Sequence, residues 1–114
     1  MSQITTHILD TSAGKPAEGV TIELMALNAD DSWTTLAAGK TNQDGRIGDL
    51  LAADKTLPAG TYKMVFQTAR YFEATNQSVF YPWADVVFNI TGSGEHYHIP
   101  LLLNPFGYST YRGS

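Results

Sequence analysis

The sequence predicts an all-β domain, a sandwich or a barrel, and three observations carry that expectation. Proline and glycine recur at short intervals: Gly14, Pro16, Gly19, Gly39, Gly45, Gly48, Pro58, Gly60, Pro82, Gly92, Gly94, Pro100, Pro105 and Gly107. The runs between them are short and rich in Val, Ile, Thr, Tyr and Phe. Several of those runs alternate apolar and polar residues with a period of two, as strands with one buried face do.

The elements follow in order. "ITTHILD" at 4–10 is the first strand. "VTIELMAL" at 20–27 puts Val20, Ile22 and Leu24 on one face, with Thr21 and Glu23 on the other. "SWTTLAAGKT" at 32–41 follows the turn signal "NADD". "TNQDGRIGDL" at 41–50 is a turn whose Asp44-Gly45 pair favours a tight hairpin. A short strand is expected near Arg46 to Leu50, and Arg46 leaves the turn from a well-fixed backbone. "TYKMVFQTA" at 61–69 sets Tyr62, Met64 and Phe66 against Lys63, Val65 and Gln67. "ARYFEATNQ" at 69–77 lacks clean alternation and is expected to form a short surface helix. "ADVVFNI" at 84–90 turns Val86, Phe88 and Ile90 inward. "EHYHIPLLL" at 95–103 follows the turn "GSG", and "GYSTYRG" at 107–113 is the last strand. The total is about seven or eight strands. No linker, repeat or low-complexity segment divides them, and 114 residues suit one domain.

Composition narrows the function classes. Hydrophobic residues make up 43%, enough for a packed core. The net charge of -4 and pI near 5.1 lack the basic stripe of a nucleic-acid binder. There is no cysteine, so disulfides, thiolate metal sites and cysteine nucleophiles are out. No apolar run approaches the roughly 20 residues of a membrane helix. The start "MSQITTHILD" has neither a basic n-region nor an apolar h-region. A cytoplasmic protein is therefore expected, or a periplasmic one if a leader was removed.

Three histidines carry the available chemistry: His7, His96 and His98. In "HYHIPLL" the apolar side is Tyr97, Ile99 and Leu101, so His96 and His98 face away from the core. His7 likewise points opposite to Ile8. Such residues are most simply a solvated face. A zinc site is a second reading, since H-x-H on a strand is a two-ligand pair and His7 supplies a third. General acid/base work near neutral pH is a third. Arg46 and Arg112 alone read as surface charges. Tyr108 and Tyr111, three apart, point to opposite faces of a strand, one toward the core and one outward. No Ser-His-Asp order, P-loop or dinucleotide fingerprint is present.

The ending "YSTYRGS" resembles the C-terminal signature of the 5-hydroxyisourate hydrolases, the transthyretin-related proteins of urate breakdown. "THILDTSAGKPAEGV", "GKTNQDGRI", "YPWADVVFNI" and "HYHIPLLLNPFGYSTYRGS" resemble further segments of that family, so the likeness spans essentially the whole chain. The resemblance implies a transthyretin-like two-sheet sandwich with a short helix, one domain over 1–114. It implies hydrolysis of the strained lactam of 5-hydroxyisourate to 2-oxo-4-hydroxy-4-carboxy-5-ureidoimidazoline, without metal or cofactor. It makes His7, Arg46 and His98 the catalytic set. His7 and Arg46 also bind substrate, with Tyr111, Arg112, Gly113 and Ser114 as the tail lining the site, while His96 has no assigned role. It further implies a homotetramer, a dimer of dimers, with sites in the channel where outer sheet faces meet. Neither nucleic acid nor membrane is an expected partner. The competing readings are a transthyretin-like carrier of small molecules without catalysis and a sandwich module for protein contacts.

Overall fold

The computed structural model describes residues 2–113. Among them run β1 (Ile4–Asp10), β2 (Lys15–Pro16), β3 (Thr21–Leu27), β4 (Trp33–Lys40), β5 (Arg46–Ile47), β6 (Gly60–Gln67), α1 (Thr68–Ala74), β7 (Ala84–Ile90), β8 (Tyr97–Asn104) and β9 (Gly107–Thr110). One sheet has the order β2-β1-β8-β9, with β5 also paired to β1; the other has the order β4-β3-β6-β7. Two separate sheets make a sandwich, which resolves the choice between sandwich and barrel.

Alternation fixes which side of each strand is buried. Ile4, Thr6, Ile8 and Asp10 of β1 point inward, as do Tyr97, Ile99, Leu101 and Leu103 of β8. From the facing sheet come Ile22 and Leu24 of β3 and Tyr62, Met64 and Phe66 of β6. Each large side chain buried there contributes about 1.5–3 kcal/mol. The outer face of the first sheet is then dictated by period two: Thr5 and His7 from β1, His98 and Pro100 from β8.

β1 and β8 pair in parallel, with Thr5 opposite His98 and His7 opposite Pro100. A parallel pair needs a long crossover. Here β2 to β7 fill it, so residues far apart in sequence become neighbours on one outer face.

Three local expectations change. The strands among the described residues number nine rather than seven or eight, because the two-residue β2 pairs Lys15 with Asp10 and Pro16 with Leu9. The last strand stops at Thr110 instead of 113. In the register of Leu101 with Thr110, Tyr111 falls opposite Pro100, which has no N–H to give the ladder. Pairing resumes at Gly113, whose N–H donates to the His98 carbonyl at 2.8 Å. Finally, Tyr108 and Tyr111 are both exposed, because β9 is an edge strand beyond the core; Tyr108 packs edge-on against Tyr81. The expected helix is present as α1, and it buries Tyr71 and Phe72 rather than lying wholly on the surface.

α1 is tied to the end of β1 by a buried carboxylate. Asp10 Oδ2 accepts from the Tyr71 hydroxyl at 2.6 Å and from Gln77 Nε2 at 3.1 Å. Its Oδ1 accepts from the Ser12 hydroxyl at 2.6 Å and from the N–H groups of Ser12 and Ala13 at 3.0 Å. Burial alone pushes a carboxyl up, but these donors, Ser12, Tyr71 and Gln77 foremost, win and hold Asp10 at about 2, below the ordinary 3.8. A lowered folded-state value stabilises the fold above the unfolded value, and that gain is lost as pH falls from near 4 toward 2. Tyr71→Phe is therefore expected to cost about 1–3 kcal/mol at neutral pH by leaving a buried carboxylate oxygen short of a donor. Thermal melts should show the gap to the parent protein shrinking below pH 4.

Candidate active site

The site begins at the turn that carries Arg46. Gly45 adopts φ 73°, and a Cβ there would collide with the Ile8 carbonyl oxygen and approach Pro16 to 3.1 Å. Only glycine fits both demands. The Asn42 side-chain oxygen accepts from the N–H groups of Asp44 at 2.9 Å and Arg46 at 3.1 Å. The Gly45 carbonyl accepts from Ile8 N–H at 2.8 Å, fastening the turn to β1. The result is that Arg46 pairs directly with His7. The Arg46 side chain is exposed and has no ion-pair partner among the described residues.

Register then builds a row across the sheet. Arg46 stands opposite His7 and His7 opposite Pro100, with Tyr111 next in the register of the tail. Beside it runs a second row: Thr5, His98 and Gly113. A shallow recess of about 310 Å³ is lined by Thr5, Thr6, Arg46, Gly48, His96 and His98; His7, paired with Arg46, is not part of that lining.

His98 is the most constrained member. Its Nδ1 lies 2.8 Å from the Thr5 hydroxyl, and the same hydroxyl lies 2.9 Å from His96 Nε2. The tail backbone passes close beside the ring. A Cβ on Gly113 would sit 2.5 Å from His98 Cδ2 and 3.2 Å from Cγ. Glycine is needed at 113 for space, not for a special backbone angle.

Both sheet histidines are biased toward the neutral form. Burial and then the Arg46 guanidinium hold His7 below its ordinary 6.5, against a smaller upward pull from Asp44. Burial, Arg46, His96 and His7, in that order, lower His98. A neutral imidazole beside a fixed cation is suited to accept a proton and to leave the developing anion to the guanidinium.

The remaining predicted residues divide. Tyr111 is 60% exposed and sits on the margin of the row. Arg112 turns the other way: its guanidinium lies 4.7 Å above the Tyr97 ring, on the core side of β8, and 3.6 Å from Glu95. Arg112 and Tyr111 both line a second recess, with Val86, Phe88 and Ile99, separate from that of His98. Ser114 lies outside the described residues. The described residues contain no group of three or more His, Cys, Asp or Glu side chains placed to hold a metal ion. Nor is any described helix long and apolar enough to cross a membrane.

A model of the HIUase/Transthyretin family matches residues 4–113. The chain belongs to that family. Its relatives there include mouse 5-hydroxyisourate hydrolase, 46% identical over 99% of this chain and 96% of the mouse protein. The Salmonella dublin 5-hydroxyisourate hydrolase is 46% identical over 97% of this chain and 80% of its own. Among solved structures, Klebsiella pneumoniae 5-hydroxyisourate hydrolase superposes with a TM-score of 0.84 at 42% identity, covering 97% of this chain and 98% of that one. Sea bream transthyretin in complex with thyroxine superposes with a TM-score of 0.91 at 34% identity, covering 98% and 95%. Backbone likeness is thus strong to both branches of the family, whereas sequence identity favours the hydrolases.

Two residues of the site escaped the sequence reading. Thr5 was available from the strand period, two residues before His7 on the same face, but a threonine carries no chemical signal of its own. His96 was seen without a partner, because the hydroxyl that links it to His98 lies on a strand 91 residues away.

Proposed function

We propose that this protein is a 5-hydroxyisourate hydrolase acting through histidine-activated water in urate degradation. The observation that carries the reading is the outer-face grouping of Arg46, His7 and His98, two imidazoles biased toward neutrality beside an unpaired guanidinium. Binding alone requires no such base, which weighs against a carrier. His98 takes a proton from water as the oxygen attacks the ring acyl carbon. Arg46 grips the planar ring with its forked donors and stabilises the charge that develops on the carbonyl oxygen. His7 aligns the water, and the proton held on His98 Nε2 passes to the departing ring nitrogen as the C–N bond breaks. Tyr111 walls the site, and Gly113 lets the tail pass against His98. Arg112 anchors the tail on Tyr97 and Glu95 rather than touching substrate.

The chain works as one transthyretin-like domain within a homotetramer, a dimer of dimers, and we place it in the cytoplasm. The recess is too shallow to exclude water alone, so a second copy is needed to cover it. Sheet-edge strands β7 and β9 are open to pairing, and Phe80, Tyr81, Phe106 and Tyr108 form an exposed aromatic cluster for such contacts.

The test is ultraviolet decay of 5-hydroxyisourate freshly made from urate. Decay should accelerate in proportion to added protein; a carrier would leave the spontaneous rate unchanged. The acid limb of kcat/KM adds a sharper expectation. The base works only when neutral, and its value is lowered, so activity should persist below pH 6.5 and fall only at more acid pH. In Arg46→Ala, burial still lowers the base but the guanidinium no longer does, so the limb of the residual activity should move to higher pH. A limb at or above 6.5 in the parent enzyme contradicts the assignment.

A further inference from the structure

The Thr5 hydroxyl joins two histidines. It has one proton, so it donates to one ring nitrogen and accepts from the other. With both imidazoles neutral, two arrangements satisfy the contacts at 2.8 Å and 2.9 Å. In one, Thr5 donates to His98 Nδ1, and His98 carries its proton on Nε2. In the other, His98 Nδ1–H donates to Thr5, and Thr5 donates to His96 Nε2. His98 Nε2 is then bare.

The second arrangement fits the surroundings. His98 and Arg46 line the same recess, where a lone pair is favoured near the guanidinium and an N–H is not. Nε2 has no hydrogen-bond partner among the described residues and is the nitrogen left for substrate water. His96, at the far end, is exposed to solvent.

We propose that His96, Thr5 and His98 form a proton relay, in which Thr5 and His96 set the tautomer of His98 and carry its charge across to His96. This rests on the reading of His98 as the group that activates water. When His98 Nε2 takes the proton from water, its Nδ1 proton passes to Thr5 Oγ1. The Thr5 hydroxyl proton passes to His96 Nε2. One O–H bond of water breaks and one N–H bond forms on His98; the two inner transfers each exchange one bond for another. The positive charge finishes on exposed His96 instead of on His98, whose proton affinity the Arg46 guanidinium already lowers. Thr5 and His96 are positioning and relay residues and do not touch substrate.

The test combines kinetics with histidine nitrogen spectra. Thr5→Val keeps the shape and removes the hydroxyl; kcat should fall about tenfold with KM little changed. Thr5→Ser should restore it. His96→Asn, at an exposed position, should match the loss in Thr5→Val, and the double variant should be no slower than either single. Wild-type rates in Thr5→Val or in His96→Asn, or losses that multiply in the double variant, overturn the relay. In the wild-type protein without substrate, nitrogen-15 spectra at neutral pH should show His98 protonated at Nδ1 and bare at Nε2. Protonation at Nε2 overturns the relay without reference to turnover, and this measurement stands even if Thr5→Val does not fold. His98→Asn separates the two levels. Full activity there removes His98 from the mechanism and the relay with it; loss there with full activity in Thr5→Val and His96→Asn removes the relay alone.

Discussion

Arg46→Ala is expected to lower kcat/KM by about 10²–10³-fold, the usual cost of deleting one preorganised donor to a developing oxyanion. The melting temperature should hardly move. The Arg46 side chain is exposed and has no ion-pair partner among the described residues, so its removal leaves no buried charge stranded. The turn itself is held by backbone groups, Asn42 and Gly45, all of which remain. Arg46→Lys should recover only part of the rate, because an ammonium lacks the planar fork that grips a urea-like ring. Steady-state kinetics on all three proteins, paired with thermal melts, would check this. Parent-like turnover in Arg46→Ala would remove the guanidinium from the mechanism.

The second large effect is expected at Gly113. Alanine there places a Cβ 2.5 Å from His98 Cδ2, closer than packed carbon atoms come. Either the imidazole or the tail must give. The imidazole is held by Thr5, so a displaced ring breaks that hydrogen bond and moves Nε2 away from the attacking water. A misplacement near 1 Å costs on the order of 10²-fold. If the tail yields instead, the variant should resemble one lacking residues 111–114, in which the wall at Tyr111 is gone. Both routes predict a steep fall in kcat/KM with a melting temperature close to the parent's. The core ends at Leu103, and Phe106 is 66% exposed, so the tail adds little buried area. A Gly113→Ala enzyme with full activity would mean that the contact with His98 is incidental to turnover.

Much of this was legible in the sequence because strand periodicity is a local property. The alternation in "THILD" and "HYHIP" places His7 and His98 outside the core from neighbours alone. The Asp44-Gly45 turn likewise predicts a fixed start for Arg46. What periodicity leaves open is register between distant strands. That Thr5 faces His98, and His7 faces Pro100, follows from a parallel pairing across the rest of the fold. The role of Arg112 depended on the same kind of information. Tail and β8 keep one register past Pro100, which sends Arg112 to the core side of the sheet, onto Tyr97. The expectation that one of Tyr108 and Tyr111 meets the core fails because alternation assumes a core behind every strand, and both side chains are exposed where β9 runs past its edge.

The whole mechanism depends on substrate binding to the outer face of the first sheet, by Arg46, His7 and His98. A crystal structure with a stable purine analogue that resists ring opening tests it most directly. The analogue is expected to lie against the Arg46 guanidinium with His98 Nε2 directed at the water beside it, the recess covered by the matching face of a second copy. An analogue seated instead in the recess of Val86, Phe88 and Arg112, with the Arg46 row empty, would contradict it.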